Sequence, residues 1–297
     1  MQSFESLLKQ FEQIFNKRHF PADPAPLYDS AQYILGIGGK RVRPVMCLMG
    51  NELFDDIHAD AWEVGTAIEL FHNFSLIHDD IMDAAPLRRG VPTVHANFGT
   101  NTAILSGDVM LIMCYEYLNK IDASYKGKII ALFNKTALEV SEGQQLDMDF
   151  ERIASVSFRE YERMIELKTS VLLAASLKMG AILGGASAGN ANHLYEFGRN
   201  LGIAFQVQDD YLDAFGDPDR FGKQVGGDIL ANKKTFLMIH ALENADSADK
   251  QQLHSQLASN APDKVKQVLE IFNRVGVSEW ARTLKNQYLE KAMHHLE

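Results

Sequence analysis

Apolar residues recur with the period of an α-helix along almost the whole chain. Phe4, Leu7, Phe11 and Ile14 show the spacing of three and four residues that builds one apolar helix face. Strict alternation of apolar and polar residues is hard to find, and the hairpin dipeptides Asn-Gly and Asp-Gly are absent. We therefore predict an all-α protein. After the N-terminal helix, long helices are expected at about 61–83, 101–120, 126–147, 158–184, 190–214, 233–245 and 263–295, the last broken near Gly276.

No linker, low-complexity run or repeat divides the chain, so we predict a single domain over residues 1–297. The formal net charge of −10 argues against a nucleic-acid partner. No apolar stretch reaches the ~18 residues of a membrane span, and the first residues lack the basic start and apolar core that a signal peptide would have. Cys47 and Cys114 sit in apolar runs, which excludes a disulfide framework. We expect a cytoplasmic protein without a membrane span.

An acidic pattern, DDxxD, occurs twice: Asp79, Asp80, Asp83 and Asp209, Asp210, Asp213. On a helix, the first and last Asp of each pattern share a face, about 5–6 Å apart at Cβ, where like charges repel. A bound cation is the simplest compensation, and all-oxygen ligands favour Mg²⁺ or Mn²⁺ over zinc. Apolar residues flank both patterns, which favours a shared cavity. The alternative is a solvated acidic helix face.

Basic residues stand in the glycine-containing loop GIGGKRVRP, residues 36–44. Lys40, Arg41 and Arg43 adjoin glycines whose backbone N–H groups can face an anion, so this loop is a candidate anion site. His72 lies two turns before Asp79 on nearly the same helix face and is a candidate ligand contact, with His78 a weaker one. A di-iron bundle would need two Glu-x-x-His pairs, and only Glu69 with His72 supplies one.

A second basic loop, PLRRGVP, follows the first acidic pattern closely. Arg88 and Arg89 can therefore meet a phosphate that a metal holds at Asp79 and Asp83, since guanidinium groups pair with phosphate oxygens. Further candidate cations lie near the second acidic pattern in the sequence or could face it: Lys168, Lys223 and Lys233. For each of these residues the alternative is a solvated surface charge.

Together these motifs resemble the trans-type isoprenyl diphosphate synthases, the farnesyl and geranylgeranyl diphosphate synthase family. The motifs are GGKRVRP (38–44), HNFSLIHDDIMDAAPLRRG (72–90), KT (168–169), FQVQDDYLDAFGD (205–217) and GKQVGGDILANKKT (222–235). The resemblance implies an all-α bundle around a deep central cavity, usually a homodimer. It also implies Mg²⁺-dependent, head-to-tail condensation of isopentenyl diphosphate with allylic diphosphates. Three Mg²⁺ ions are expected, with Mn²⁺ as a substitute.

The resemblance also assigns roles to residues. It matches Asp79 and Asp83 to the first metal cluster and Asp209 to the second, with Asp80, Asp210 and Asp213 in support. It matches Arg88, Lys168, Lys233 and Lys223 to the allylic diphosphate, and Lys40, Arg43, His72 and Arg89 to isopentenyl diphosphate. It matches Thr169 and Gln206 to polar groups that face the developing carbocation. Lys168, Thr169, Gln206 and Arg88 are thus the expected catalytic residues.

Two other functions remain open on the same fold. A class I terpene cyclase would share the first DDxxD, but its second metal site is normally an Asn/Ser/Glu triad. A non-catalytic partner subunit of a heteromeric prenyl synthase tends to lose one acidic pattern, whereas this chain has both.

The product is expected to be C20, with C15 as the second candidate. A growing tail would run back along the helix that carries Asp79, where each isoprene unit uses about three residues of helix rise. Ser75 is small and shares the face of Asp79, while Phe74 flanks that path and Phe71 can close it deeper. In the family, a large aromatic at the position of Phe74 accompanies C15–C20 products. The alternative is that both phenylalanines are ordinary core residues.

Overall fold

The computed structural model describes residues 1–217, 225–259 and 261–297. Helices dominate these residues, so the all-α prediction is confirmed. They are α1 (Phe4–Phe15), α2 (Ala25–Gly36), α3 (Val42–Glu52), α4 (Ala59–Met82), α5 (Val94–Phe98), α6 (Thr100–Leu118), α7 (Ala123–Arg152), α8 (Phe158–Ile165), a π-helical turn (Glu166–Ser170), α9 (Val171–Leu183), α10 (Ala188–Phe215), α11 (Gly227–Leu230), α12 (Phe236–Asn244), α13 (Ser247–Leu257), α14 (Lys264–Val275) and α15 (Val277–His294).

The chain divides into two compact units. The first comprises Met1–Thr136 and Ala175–Tyr195, and the second comprises Ala137–Ala174 and Glu196–Glu297. The single domain expected over residues 1–297 stays a prediction. Among the described residues, no helix has both the length and the apolar character that crossing a membrane requires.

Helix α4 is the centre of the first unit. It packs against α3 and α6, and Val64, Ala67, Ile68 and Leu70 on it are fully buried. A helix that is apolar on nearly all sides must be surrounded by other elements. The same helix ends at the first acidic pattern, so packing of its N-terminal two-thirds fixes the position of these carboxylates.

The segment PLRRGVP, which its sequence predicts to be a loop, forms a β-hairpin. Strand β1 (Leu87–Arg88) pairs antiparallel with β2 (Val91–Pro92), with Arg88 opposite Val91. The two turn residues, Arg89 and Gly90, have φ of 53° and 80°. A two-residue turn of this kind needs positive φ at both positions, which Asn-Gly usually provides. The hairpin was missed because an arginine occupies the first of them.

Helices α2, α3 and α13 were also missed. The prolines at 21–26 predict the end of α1, but α2 also begins among them, with Pro24 as its N-cap and Pro26 in its first turn. Proline is tolerated there because the first N–H groups of a helix have no partner within it. The loop of residues 36–44 is shorter than predicted, since α3 begins at Val42 and contains Pro44.

The second unit has an aromatic core between α8, α12 and α15. Phe236 is fully buried, and its ring lies 4.6 Å from that of Tyr161 at 90°. The expected break near Gly276 is confirmed, because this residue, with φ of 75°, separates α14 from α15. Helix α10 has 28 residues and carries the second acidic pattern in its last turns.

Candidate active site

The carboxylates of the first acidic pattern lie in three different environments. Asp80 is buried, Asp79 is partly buried, and Asp83 is exposed at the C-cap of α4. They follow one another around the helix, so only one of them can point into the packed interior. The three aspartates of the first DDxxD pattern therefore differ in burial and are expected to have distinct roles.

Arg88 of the hairpin is bound to this pattern. Its Nε and Nη2 donate to the two carboxylate oxygens of Asp80 at 2.8 and 2.7 Å, and Nη2 lies 3.5 Å from Asp79 Oδ2. Burial alone would lower the pKa of Arg88, but the Asp80 hydrogen bonds and the nearby carboxylates outweigh it and raise the pKa. Because both oxygens of Asp80 are engaged by one guanidinium, Asp79 and Asp83 are better placed to hold a metal ion.

Arg89, the next residue, belongs to a different group of side chains. A Cβ added at Gly39 would lie 3.0 Å from Arg89 Nη1, so the guanidinium rests against the GGK segment. Arg43 Nη1 lies 3.3 Å from His72 Nε2. Burial lowers the pKa of His72 well below its ordinary value, and Arg43, Arg89, Arg88 and Arg41 lower it further. A neutral histidine among cationic groups can bind a polyanion. Lys40, which follows Gly39 in the chain, is exposed.

Arg41 does not belong to this anion-facing group, contrary to the sequence analysis. Its Nη1 donates to Glu69 Oε1 at 2.5 Å, and Nη2 donates to the carbonyl oxygen of Leu35 at 3.0 Å. The side chains of Arg41 and Glu69 are each only 3% exposed. This buried pair joins the GGKR segment to α4. It also occupies Glu69, which removes the Glu-x-x-His pair considered for iron.

The second acidic pattern is crowded with negative charge. Asp210 is buried, accepting from Gln206 Nε2 at 2.8 Å and from Tyr161 Oη at 3.3 Å. Burial raises the pKa of Asp210 to about 7; the Gln206 bond opposes this shift, whereas Asp228 and Asp209 add to it. Asp213 accepts from the backbone N–H of Asp228 at 3.0 Å. Within the part of the chain that the structure describes, Asp209 is thus the member of this pattern whose carboxylate no such hydrogen bond engages.

Lys168 and Thr169 lie in the π-helical turn Glu166–Ser170. Lys168 Nζ is 2.6 Å from Asp147 Oδ2. A Cβ at Gly143 would collide with the backbone nitrogen of Lys168, so glycine is required for α7 to approach this turn. π-Helical turns occur frequently at functional sites, and this one displaces Lys168 and Thr169 from ordinary helical register. Thr169 is half-buried beside it.

The remaining predicted cation positions differ in how they are held. Lys233 is exposed, with Nζ 3.7 Å from Asp228 Oδ1. Lys234 instead donates to the carbonyl oxygen of Phe150 at 2.6 Å. Lys223 lies outside the described residues.

The predicted chain-length residues line one side of α4. Phe71 is 2% exposed, and its ring lies 5.5 Å from Phe74 and 5.3 Å from Phe133. Phe74 is half-buried and contacts the His78 ring at 4.9 Å. Ser75 is also half-buried, and its hydroxyl donates to the carbonyl oxygen of His72 at 2.8 Å. Phe71 therefore has a core position, whereas Phe74 and Ser75 retain accessible surface.

The acidic side chains suit a hard divalent cation. Within residues 1–217, 225–259 and 261–297, no three His, Cys, Asp or Glu side chains converge into a ready-made metal site. Mg²⁺ does not need one, because it commonly takes one or two carboxylates and completes its shell with substrate phosphates and water. Burial is the main cause of the raised pKa of Asp210; Asp228 and Asp209 add negative charge, which such an ion would relieve.

Several residues of the site could not be found from sequence motifs. Asp147, Glu69 and Tyr161 contact Lys168, Arg41 and Asp210 respectively. Each pair is well separated in sequence, and neither Asp147 nor Tyr161 belongs to a motif. Asp228 is different, since it lies within GKQVGGDILANKKT and could have been singled out there.

Comparison with known proteins agrees with this geometry. The sequence profile of the polyprenyl synthetase family matches residues 24–275. A short chain isoprenyl diphosphate synthase of Methanothermobacter thermautotrophicus is 40% identical over 92% of this chain and 85% of its own. A geranylgeranyl diphosphate synthase of Methanosarcina mazei is 42% identical over 76% and 70%. The crystal structure of the geranylgeranyl pyrophosphate synthetase from Pyrococcus horikoshii is 37% identical, with a TM-score of 0.92 over 99% of this chain and 91% of that one. The chain therefore belongs to the polyprenyl synthetase family.

Proposed function

We propose that this protein is a prenyltransferase that condenses isopentenyl diphosphate head-to-tail with allylic diphosphates. The products are a short-chain trans-prenyl diphosphate and diphosphate. One observation carries the proposal: two consecutive arginines of one hairpin lie in different surroundings, each of which can contribute to binding a diphosphate. Arg88 is held by the carboxylates of the first acidic pattern, and Arg89 rests against Gly39 and lowers the pKa of His72, which contacts Arg43. This arrangement suits two diphosphates, one bound with metal ions and one bound by protein cations.

Acids of both patterns hold the metal ions. Asp79, Asp83 and Asp209 hold Mg²⁺, with Mn²⁺ as a substitute and three ions expected, while Asp80, Asp210 and Asp213 act in support. The buried contacts of Asp80 and Asp210 support this division of roles. When bound, the ions stabilise the charge of the leaving diphosphate.

Side chains of the protein stabilise the charge of the leaving diphosphate and the allylic cation that forms when the diphosphate departs. Arg88, Lys168 and Lys233 contact the allylic diphosphate, with Lys223 as a further candidate. Cations aimed at a charge that develops in the transition state usually contribute more to catalysis than any other effect. Thr169 and Gln206 face the allylic cation. The double bond of isopentenyl diphosphate attacks C1 of the allylic diphosphate as the bond between that carbon and the diphosphate oxygen breaks. The departing diphosphate then accepts the proton that the isopentenyl unit releases.

Lys40, Arg43, His72 and Arg89 bind isopentenyl diphosphate. The low pKa of His72, caused first by burial and then by Arg43, keeps the imidazole neutral. It can then accept the Arg43 hydrogen bond while its other ring nitrogen donates.

The product is C20, with C15 as the second candidate. Phe74 and Ser75 are half-buried on the accessible side of α4, which supports the proposal that this face limits the length of the product. Phe71, a core residue, lies behind them. Relatives named geranylgeranyl diphosphate synthase support C20, while one from Natronomonas pharaonis is named geranylfarnesyl diphosphate synthase. A terpene cyclase and a non-catalytic partner subunit are not favoured, because the relatives are named as prenyl diphosphate synthases.

The protein acts as a homodimer of single-domain chains in the cytoplasm. Ile104, Leu105 and Ile112 are exposed apolar residues of α6, with Leu105 57% exposed, and a second copy would cover them. Both cysteines are free and buried, as expected in a reducing compartment. Light scattering of wild type and Ile112→Lys tests the dimer, which the charged variant should weaken.

The activity test is direct. Protein, Mg²⁺, isopentenyl diphosphate and one allylic diphosphate (C5, C10 or C15) are incubated, and the dephosphorylated products are separated by chromatography. Longer prenyl alcohols that require both substrates and disappear in chelator are expected. Cyclic hydrocarbons formed from the allylic substrate alone would indicate a terpene cyclase instead, and no product with any primer would contradict the proposal.

A further inference from the structure

The two arginines at the hairpin turn are held in different ways. Arg88 is fixed through its side chain by Asp80. For Arg89, the described part of the chain provides no hydrogen bond or ion pair to the guanidinium. Its backbone has a φ of 53°, which an arginine adopts only where surrounding structure imposes it. The position of Arg89 therefore depends on how the hairpin backbone is anchored.

The base of the hairpin has two anchors. Thr93 closes the loop on itself, because its N–H donates to Pro86 O at 3.1 Å and its hydroxyl to Ala85 O at 2.8 Å. The second anchor comes from α2, where Tyr33 Oη donates to Pro92 O at 2.8 Å. Pro92 lies opposite Leu87 in the ladder. The Tyr33 bond thus ties the hairpin to a separate helix, which Thr93 does not do.

The side chain of Tyr33 is itself held in place by a ring contact. Its ring packs edge-on against Phe98 of α5 with the centroids 5.3 Å apart. Tyr33 and Arg89 line the same open cleft of about 630 Å³. Helix α2 also leads into the GGK segment, against which the Arg89 guanidinium rests. One helix therefore supports both the loop and the hairpin that form the isopentenyl diphosphate site.

We propose that Tyr33 is a positioning residue for this site: its hydroxyl fixes the hairpin at Pro92 and so holds the Arg89 guanidinium where the diphosphate binds. The inference rests on the proposed function, in which Arg89 contacts isopentenyl diphosphate. Because Arg88 has its own anchor at Asp80, loss of the Tyr33 bond affects the isopentenyl diphosphate site and spares the allylic one.

The test is Tyr33→Phe, which removes one oxygen and keeps the ring contact with Phe98. From the usual worth of one hydrogen bond, we expect the KM for isopentenyl diphosphate to rise about three- to tenfold. The kcat and the KM for the allylic substrate should stay within about twofold. Tyr28→Phe is the matched control, because Tyr28 lies on the same helix and stacks on Phe20 with the centroids 6.2 Å apart; it should behave as wild type.

A double-mutant cycle separates positioning from a general structural effect. If Tyr33 acts through Arg89, Tyr33→Phe adds nothing in an Arg89→Ala background. Additive effects, an equal rise of both KM values, or an unchanged KM in an active protein would each overturn the inference. Calorimetric titration of isopentenyl diphosphate without metal gives a second readout that needs no turnover. A wild type that binds it but makes no product would contradict only the proposed function, whereas a wild type that does not bind it would overturn both.

Discussion

The buried pair of Arg41 and Glu69 should be essential to the stability of the first unit. Both side chains are 3% exposed, and among the described residues the Glu69 carboxylate otherwise accepts only from Asn73 Nδ2, at 3.2 Å. Arg41→Met would leave the Glu69 carboxylate buried without its cation. Removing one partner of a buried pair costs about 3–5 kcal/mol, because the remaining charge has lost its solvation and its partner.

The double variant Arg41→Met/Glu69→Met provides the decisive comparison. Replacing both charges with apolar groups of similar volume is often nearly neutral, so this variant should recover most of the loss. Arg163→Met is the surface control: Arg163 is 53% exposed in its pair with Glu166, and such pairs contribute about 0–1 kcal/mol. Free energies of unfolding are measured in urea. A loss below about 1 kcal/mol for Arg41→Met, or a double variant no more stable than the single one, would refute the reasoning.

Three further predictions concern the site. Asp79→Ala should nearly abolish turnover, because a metal ligand is lost. Tm in chelator should hold or rise, because relief of like-charge repulsion within the acidic pattern offsets the loss of the 3.5 Å contact with Arg88. Wild-type activity in chelator would contradict this. Phe74→Ala should lengthen the product by at least one isoprene unit, and Ser75→Phe should shorten it to C15, as measured by chromatography of the dephosphorylated products. An unchanged product distribution in both variants would exclude α4 as the element that limits chain length. His72 has a lowered pKa through burial and then Arg43, so below about pH 6.5 the unfolded chain takes up a proton that the folded chain does not, and stability falls. His72→Asn should reduce this loss between pH 7.5 and 5.5 in urea titrations, and an unchanged loss would count against the assignment.

Sequence alone determined the features that depend on local spacing. The period of apolar residues identified α4 and α10, and it placed Asp79 with Asp83, and Asp209 with Asp213, one turn apart. Gly276 marked a true helix break. These inferences succeed because helix geometry relates residues three and four positions apart, whatever the rest of the chain does.

The tertiary structure decided which members of each motif can meet a ligand. Arg41 and Arg43 are two positions apart, yet one is buried against Glu69 and the other faces His72. Asp80 and Asp79 are adjacent, yet Arg88 engages both oxygens of only the first. The partner in each case lies on another element, and no spacing rule reports it.

Tertiary contacts also overrode local turn preferences. Arg89 and Gly90 form a tight hairpin although arginine disfavours positive φ. Tyr33, 59 residues away from Pro92, helps to hold it, while the bonds of Thr93 close its base. The sequence by itself therefore determined the longest helices and the candidate chemistry, but not α2, α3 or α13. Only the tertiary structure decided which charged side chains are buried in pairs and which remain accessible, because burial and pairing depend on partners that are distant along the chain.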